Sequence, residues 1–186
     1  MKKVTLIMIS VILIALCSCS SIPKNNEKIT VNGMIYDTEN RPAVNYKIYL
    51  DGKYAAITDI GGRFTLNNIK CGQYDFTGNG IGYLNMKDSV EVFDKGHILY
   101  IRVPTVESKF QEAYALINQH KYVQAESCIQ EVLDTEACNS TALFFMSVIE
   151  YLEGDIESSK EYKEQLLKSG EDTDYVHKLE KIISDN

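Results

Sequence analysis

The residues best suited to chemistry in this chain are three histidines, five cysteines and many carboxylates. His177 and Glu180 have a spacing that two zinc ligands can share on one side of a helix. A zinc enzyme also needs a third ligand far downstream and a catalytic carboxylate, and the sequence offers neither. His97 and His120 belong to other segments. We therefore predict no metal site and interpret His177 and Glu180 as part of a solvated helix face.

Other catalytic patterns are also missing from the sequence. It contains no GxSxG, HExxH or phosphate-binding glycine loop. The glycine cluster from Gly78 to Gly82 leads into Tyr83-Leu84 and not into a helix, so we predict a corner of a β-structure there. Cys71 has no histidine nearby in sequence to activate its thiol. We therefore expect no catalytic residues and no cofactor, and predict that the protein is not an enzyme.

The N-terminal segment has the layout of a secretory signal. Lys2 and Lys3 precede an almost unbroken apolar run over 4–16, and small residues follow it. The run is too short for a membrane-spanning helix. We predict that residues 1–18 are a signal peptide.

The cysteines that follow this run indicate a lipid anchor. The sequence Leu16-Cys17-Ser18-Cys19 resembles a bacterial lipobox, which implies cleavage after Ser18 and lipidation of Cys19. Lipidation of Cys17 instead puts bulky Leu16 before the cut, and an ordinary secretory signal needs a small-x-small site that is not visible nearby. The resemblance implies more than one acyl chain, which holds a protein firmly on a membrane. Ser20 follows Cys19 where an inner-membrane retention signal has Asp, which favours the outer membrane. The side of the membrane on which the protein lies stays open.

Removing residues 1–18 leaves about 168 residues, and the formal charge of −7 becomes two units more negative. Such a surface repels phosphate backbones, and no basic stripe is present, so we expect no nucleic acid as partner. The cysteines that remain are Cys71, Cys128 and Cys138, without zinc-like spacing. The sequence leaves two possibilities: a disulfide between Cys128 and Cys138, or three free thiols.

The chain after the signal divides into three parts by composition. Residues 19–28 are polar and predict a flexible tether. Residues 29–104 contain short runs rich in Val, Ile, Tyr, Phe and Thr between turn residues, which predict an antiparallel β-sandwich. Asp51-Gly52 predicts a tight hairpin turn. The predicted strands are 29–36, 46–50, 54–58, 63–66, 74–78, 88–93 and 97–103.

Residues 106–186 change to a helical period with few Gly or Pro. Four amphipathic segments and a closing helix over 173–184 are predicted there. The whole chain is thus expected to be an α+β multidomain protein with signal, tether, sandwich and helices. The apolar positions that define the four segments are Phe110, Ala113, Tyr114, Ile117, Ala125, Cys128, Ile129, Val132, Leu133, Phe144, Ser147, Val148, Tyr151, Ile156, Tyr162, Leu166 and Leu167.

The β segment resembles the carboxypeptidase regulatory-like domain, an Ig-like or prealbumin-like sandwich. Within its Thr58-to-Phe64 motif, Asp59 can bond backbone donors of its own turn, Gly62 can take a positive φ, and Phe64 can pack inward. Asn40 replaces the usual glycine of the family but also tolerates left-handed geometry. Lys70-Cys71 replaces the common prolines. The other matching residues are Gly33, Asp37, Pro42, Leu66, Ile69, Gly72, Tyr74 and Gly82-Tyr83.

The helical segment resembles two tetratricopeptide (TPR) repeats, each a helix-turn-helix unit of roughly 34 residues. Gly154-Asp155 matches the turn between the two helices of a repeat, whereas His120-Lys121 matches it poorly, and Ala137 and Glu171 replace the final proline. A generic helical bundle is the alternative. A shift by one repeat superposes Phe110 on Phe144, Ala113 on Ser147, His120 on Gly154, Tyr122 on Ile156, Ala125 on Ser159 and Val132 on Leu166.

These resemblances imply an envelope lipoprotein that holds a protein or peptide partner through its helices. In the repeat family the first helix of each unit lines a concave groove. Acidic residues crowd the helical segment, and they are interpreted either as solvated surface or as a face that steers a basic partner. The alternative is a surface adhesin or glycan-binding module that uses exposed sandwich aromatics such as Tyr54 and Tyr83. The oligomeric state stays open. The implied groove residues are Phe110, Tyr114, Ile117, Phe144, Val148 and Tyr151.

Overall fold

The computed structural model describes residues 27–94 and 96–170, together with Asp174, His177, Lys178 and Lys181. The predicted signal peptide, the lipidation site Cys19 and most of the tether lie outside these residues. The strands are β1 (Ile29–Asp37), β2 (Lys47–Leu50), β3 (Lys53–Ile57), β4 (Arg63–Ile69), β5 (Gly72–Gly80), β6 (Tyr83–Val92) and β7 (Ile98–Val103). The helices are α1 (Val106–Asn118), α2 (Tyr122–Thr135), α3 (Ser140–Glu153) and α4 (Ile156–Ser169).

The strands form two sheets, which confirms the predicted β-sandwich. One sheet has the order β4-β1-β7 and the other β3-β2-β5-β6. Side chains along β1 alternate between buried and exposed, as expected for a strand with one face on a core. The core between the sheets is aliphatic and aromatic. Its fully buried side chains include Val31, Ile35, Tyr46, Ile48, Leu66, Phe76 and Val92.

The prediction that the sandwich is antiparallel is wrong for one strand pair. β1 and β7 run parallel, from Asn32 opposite Ile98 to Asp37 opposite Val103. β6 belongs to the other sheet, so the chain crosses between sheets before β7 and enters β7 in the direction of β1. Local residue patterns carry no signal for such a crossing.

The predicted boundary of β6 is also wrong, because the strand starts at Tyr83 and not near Asp88. The glycine cluster ends β5, and Gly80 pairs with Tyr83 across a hairpin turn. A Cβ at Gly78 would lie 2.3 Å from the Tyr46 ring, and one at Gly80 would lie 2.9 Å from it. These glycines therefore make room for a core tyrosine.

Turn residues of the sandwich behave as predicted. Asp51 and Gly52 both have positive φ, 48° and 73°, as a tight hairpin turn of type I′ requires. The Asp59 carboxylate accepts hydrogen bonds from the N–H groups of Arg63 and Gly61, each at 2.8 Å. These bonds lower the pKa of Asp59. Gly62 and Asn40 adopt positive φ, and Phe64 is buried.

The starts of the four helices repeat at one constant spacing. α1 and α3 begin at Val106 and Ser140, and α2 and α4 begin at Tyr122 and Ile156. Thr105 and Asn139 cap α1 and α3 by accepting backbone N–H bonds. His120 lies in the turn after α1 and Gly154 in the turn after α3, and both have positive φ, of 57° and 91°.

Small side chains bring the helices of each pair together. Ala113 and Ala125 are fully buried in the α1–α2 pair, and Ser147 and Ser159 are fully buried in the α3–α4 pair. The Ser147 hydroxyl donates to the Ser159 carbonyl and the Ser159 hydroxyl donates to the Ser147 carbonyl, both at 2.8 Å. The serine pair thus satisfies its buried hydroxyls without a third group.

The two parts of the chain meet at the start of β6. Leu84 is a residue of the sandwich strand, but its side chain packs in the helical core. Its carbonyl accepts a 3.2 Å hydrogen bond from the hydroxyl of Tyr46, inside the sandwich. The backbone N–H of Asn85 donates to the Thr135 hydroxyl at the end of α2. Leu84 therefore contacts both cores.

Candidate functional site

The predicted groove residues lie on α1 and α3, and an aromatic contact joins these helices. Phe110 of α1 stacks on Phe145 of α3 with ring centroids 5.5 Å apart. Phe144 meets Phe145 edge to face at 6.2 Å. Phe145, which was not predicted as a site residue, therefore holds the two predicted phenylalanines in place. Its signal in the sequence is only its position beside Phe144.

Burial divides the six predicted residues. Phe110, Ile117, Phe144 and Val148 are half-buried and pack against the helical core. Tyr151 is half-buried and lies outside that core. Tyr114 is 61% exposed, which is unusual for an aromatic side chain on an amphipathic helix. Tyr114 is therefore the residue of the six that offers the largest surface to a partner.

Leu152 is a further exposed apolar residue that the sequence analysis missed. Its side chain is 43% exposed near the end of α3. Leu152 follows Val148 by four positions and Phe144 by eight, so it continues their side of the helix. This spacing was the available signal.

Acidic residues gather where α2, α3 and α4 meet. Burial raises the pKa of Glu150, and the neighbouring charges of Glu126, Asp155 and Glu153 raise it further. The pKa of Tyr162 is also raised, first by burial and then by Glu150 and Glu126. This arrangement creates a negative potential beside the C-terminal part of α3, which a basic partner would neutralise.

The cysteines that the structure describes differ in exposure: Cys71 is half-buried, Cys128 is buried and Cys138 is exposed. Cys71, Cys128 and Cys138 are free thiols. Burial and the nearby Glu112 raise the pKa of Cys128. Lys109 makes an ion pair with Glu112 within α1 at 3.3 Å and one with Glu131 of α2 at 3.0 Å.

The two aromatic residues proposed for glycan binding differ in availability. Tyr54 is 61% exposed and meets Tyr49 edge to face, with ring centroids 6.0 Å apart. Tyr83 is half-buried, with its ring against Tyr46 and its hydroxyl accepting from the Val44 N–H at 3.3 Å. Of the two, Tyr54 therefore offers the larger ring surface to a ligand.

His97 lies in the loop between β6 and β7, and His120 lies in the turn between α1 and α2. His177 is exposed, and Glu180 is outside the described residues. Among the residues that the structure describes, no three His, Cys, Asp or Glu side chains are placed to hold a metal ion. None of the described helices is long and apolar enough to cross a bilayer.

Neither a protein-family model nor a curated protein matches the sequence. The three similar solved structures described next each match less than half of the chain. A type II cohesin-X-dockerin complex from Acetivibrio cellulolyticus has 19% identity and a TM-score of 0.34, covering 40% of this chain and 56% of that chain. A DUF3823 family protein from Bacteroides ovatus has 13% identity and a TM-score of 0.34, covering 43% and 46%.

A third similar structure is 3-chlorocatechol 1,2-dioxygenase from Rhodococcus opacus, with 12% identity and a TM-score of 0.33. The match covers 45% of this chain and 62% of the dioxygenase. The chain therefore spans about half the length of the first two structures and somewhat more of the third.

Proposed function

We propose that this chain is a non-catalytic lipoprotein of the bacterial envelope, an adaptor that holds a protein or peptide partner on the side of α1 and α3. The observation that carries this proposal is the 61% exposure of Tyr114, one helical turn after half-buried Phe110, which stacks on Phe145 of α3. Exposed aromatic anchors on a rigid base are typical of binding surfaces. The anchor is the lipid on Cys19, and the outer membrane is the expected location.

The helical part is proposed to be a short array of two TPR-like repeats. The constant spacing of the helix starts supports this assignment, because it equals the length of the TPR unit. The small buried pairs repeat at the same spacing, since Ala113 corresponds to Ser147 and Ala125 to Ser159. Of the predicted closing helix, the described residues Asp174, His177, Lys178 and Lys181 have helical backbone.

The sandwich is proposed to act as a spacer between membrane and partner. β1 begins next to the tether at Ile29, and its other end pairs with the end of β7, from which the helices follow. A nine-residue strand spans about 30 Å at the usual rise per residue. The length of β1 therefore separates the start of the helices from the point where the tether enters.

Site-specific crosslinking in intact cells tests the proposal. A photoreactive amino acid replaces Tyr114 in one full-length variant and Val123, 70% exposed on α2, in a matched control. We expect an adduct with the same envelope protein at position 114 and none at position 123. Equal adducts at both positions, or none at 114, would contradict the groove. Deleting the helices is a poorer test, because it exposes Leu84.

A third photoreactive variant at Tyr54 separates the alternative function. Tyr54 is the exposed aromatic residue on which a glycan-binding or adhesin role of the sandwich depends. An adduct to surface polysaccharide at position 54, with none at position 114, would replace the adaptor by the adhesin. Protease treatment of intact cells then shows whether this surface faces outward.

A further inference from the structure

The register of the sheets sorts the loops of the sandwich to two opposite ends. The chain enters β1 at Ile29, opposite Ile69 at the end of β4. The turn between β4 and β5 lies at this same end, and so does the end of β6, because Gly72 pairs with Val92. The turn at Asp51-Gly52 also lies here, since the Asp51 N–H donates to the Asp75 carbonyl. The helices follow from the other end.

A cleft of about 380 Å³ opens at the tether end, and most of its charged groups are basic. Lys28, Lys53 and Lys70 line it together with one carboxylate, Asp51. That carboxylate accepts a 3.0 Å hydrogen bond from the Asp75 N–H, and Glu27 precedes Lys28 in the chain. The cleft lining is thus net positive in a protein whose formal charge is −7, while exposed Asp75, Glu91 and Asp94 lie outside the cleft at the same end.

Tyrosine hydrogen bonds fix the geometry of this cleft. The Tyr74 hydroxyl donates to the Lys70 carbonyl at 2.9 Å and accepts from the Lys70 N–H at 3.1 Å. The turn that carries Lys70 is therefore tied to β5. Lys53 begins β3 directly after the tight turn at Asp51-Gly52 and pairs with Leu50 of β2.

Two exposed aromatic side chains accompany the lysines. Tyr54 is 61% exposed and Phe93, just after the end of β6, is 60% exposed. Aromatic residues with one wet and one apolar side are favoured at the boundary between lipid headgroups and hydrocarbon. Lysines near a membrane are attracted by anionic lipids, at about 1 kcal/mol each. The tether end combines both features.

We propose that this end, the tether face (Lys28, Lys53, Tyr54, Lys70 and Phe93), rests on the anionic headgroups of the bilayer that holds the lipid on Cys19. This inference rests on the proposed lipid anchor. Ten residues lead from Cys19 to Ile29, and a chain of that length spans at most about 36 Å. The tether enters the sandwich at the tether face, so this face is the part of the sandwich nearest to the anchor along the chain, and the acidic helices follow from the opposite end.

Lysine acetylation on reconstituted protein tests this contact. The full-length lipidated protein is placed in vesicles of phosphatidylcholine alone or of phosphatidylcholine and phosphatidylglycerol mixed two to one, and mass spectrometry measures the acetylation rate of each lysine. We expect Lys53 and Lys70 to react about five-fold more slowly in the anionic vesicles, as about 1 kcal/mol for each contact implies. Lys47, exposed near the opposite end of the sandwich, and Lys87, exposed in the middle of β6, should react equally in both.

Paired substitutions make the test specific. In a Lys53→Gln, Lys70→Gln variant, we expect the protection of Lys28 by anionic lipid to fall to less than about two-fold, because its basic neighbours no longer hold the face on the lipid. A Lys47→Gln, Lys87→Gln variant, with the same change in charge, should keep the protection of Lys28. Raising the salt concentration to about 0.5 M should remove the protection in every protein that shows it.

Three outcomes would overturn the proposal. Equal labelling of Lys53 in neutral and anionic vesicles, on a protein that floats with both, excludes headgroup contact while leaving the anchor and the adaptor intact. Protection in neutral vesicles on adding inorganic phosphate would assign the cleft to a small anion. A protein that floats with neither vesicle has no anchor, and the contact is lost with it.

Discussion

The sandwich and the helical part both enclose apolar cores, but different features hold each core together. In the sandwich, single side chains hold distant segments: the Thr58 hydroxyl, for example, bonds the backbone of both Ala43 and Tyr46. In the helices, one constant spacing places small side chains at matching positions twice. The sandwich therefore depends on individual residues, whereas the helices depend on a spacing that tolerates exchange of residue types.

The largest effect is expected where one residue holds the sandwich together. Tyr46 is fully buried, contacts two glycines and bonds the carbonyl of Leu84. Tyr46→Ala should lower the free energy of unfolding by about 4 kcal/mol, as large aromatic truncations do. Urea denaturation measures it, with half-buried Tyr49→Ala as control, for which we expect about 1 kcal/mol. Equal losses in both variants would show that Tyr46 holds no special position.

Leu84 tests whether the two parts are separate. Because its side chain lies in the helical core, Leu84→Ala should cost about 3 kcal/mol and should loosen α2 more than β2. Hydrogen exchange by mass spectrometry locates the loss. Faster exchange confined to the sandwich would show that Leu84 stabilises the sandwich and not the helical core.

The serine pair tests the tolerance of the helical repeat. Ser147→Ala alone should cost about 1 kcal/mol, because one buried hydrogen bond is lost. The double variant Ser147→Ala, Ser159→Ala reproduces the alanine pair of α1 and α2, so it should cost less than the two single changes together. Thermal denaturation of the four proteins gives the coupling. Simple additivity would mean that the reciprocal bonds act independently.

The smallest effect is expected at the turn between α1 and α2. His120 has a φ of 57°, where a side chain is unfavourable, and Gly154 occupies the matching turn. His120→Gly should therefore stabilise the protein by about 0.5 kcal/mol, after loss of the 2.8 Å bond between His120 and Tyr122. Chemical denaturation checks the sign, and Gly154→His is the matched change expected to destabilise.

Features that depend on a few neighbouring residues could be predicted from the sequence, whereas features that depend on distant segments could not. The Asp59 turn, the hairpin at Asp51-Gly52 and the helix spacing are encoded within a few residues, and each was predictable. The parallel pairing of β1 with β7 was not, because it depends on where the chain crosses between sheets. Leu84 could not be assigned to the helical core either, because its strand neighbours give no sign of it.

The candidate site shows the same division. Helical spacing placed Phe110, Tyr114 and Ile117 on one side of α1, but only tertiary packing decides that Tyr114 stays exposed. The exposure of Tyr54 and the partial burial of Tyr83 were indistinguishable in sequence for the same reason. Lipidation of Cys19, the division into domains and the membership of both families stay predictions.

The parallel pairing of β1 with β7 determines how the sandwich responds to a pull along the chain. A pull between the tether and the helices acts on the start of β1 and the end of β7. Since these strands run side by side in the same direction from Asn32 to Asp37, the pull loads their hydrogen bonds in shear, all at once. An antiparallel pair pulled in this way would open one bond at a time. The sandwich is thus arranged to bear tension between its N-terminal end and the helices.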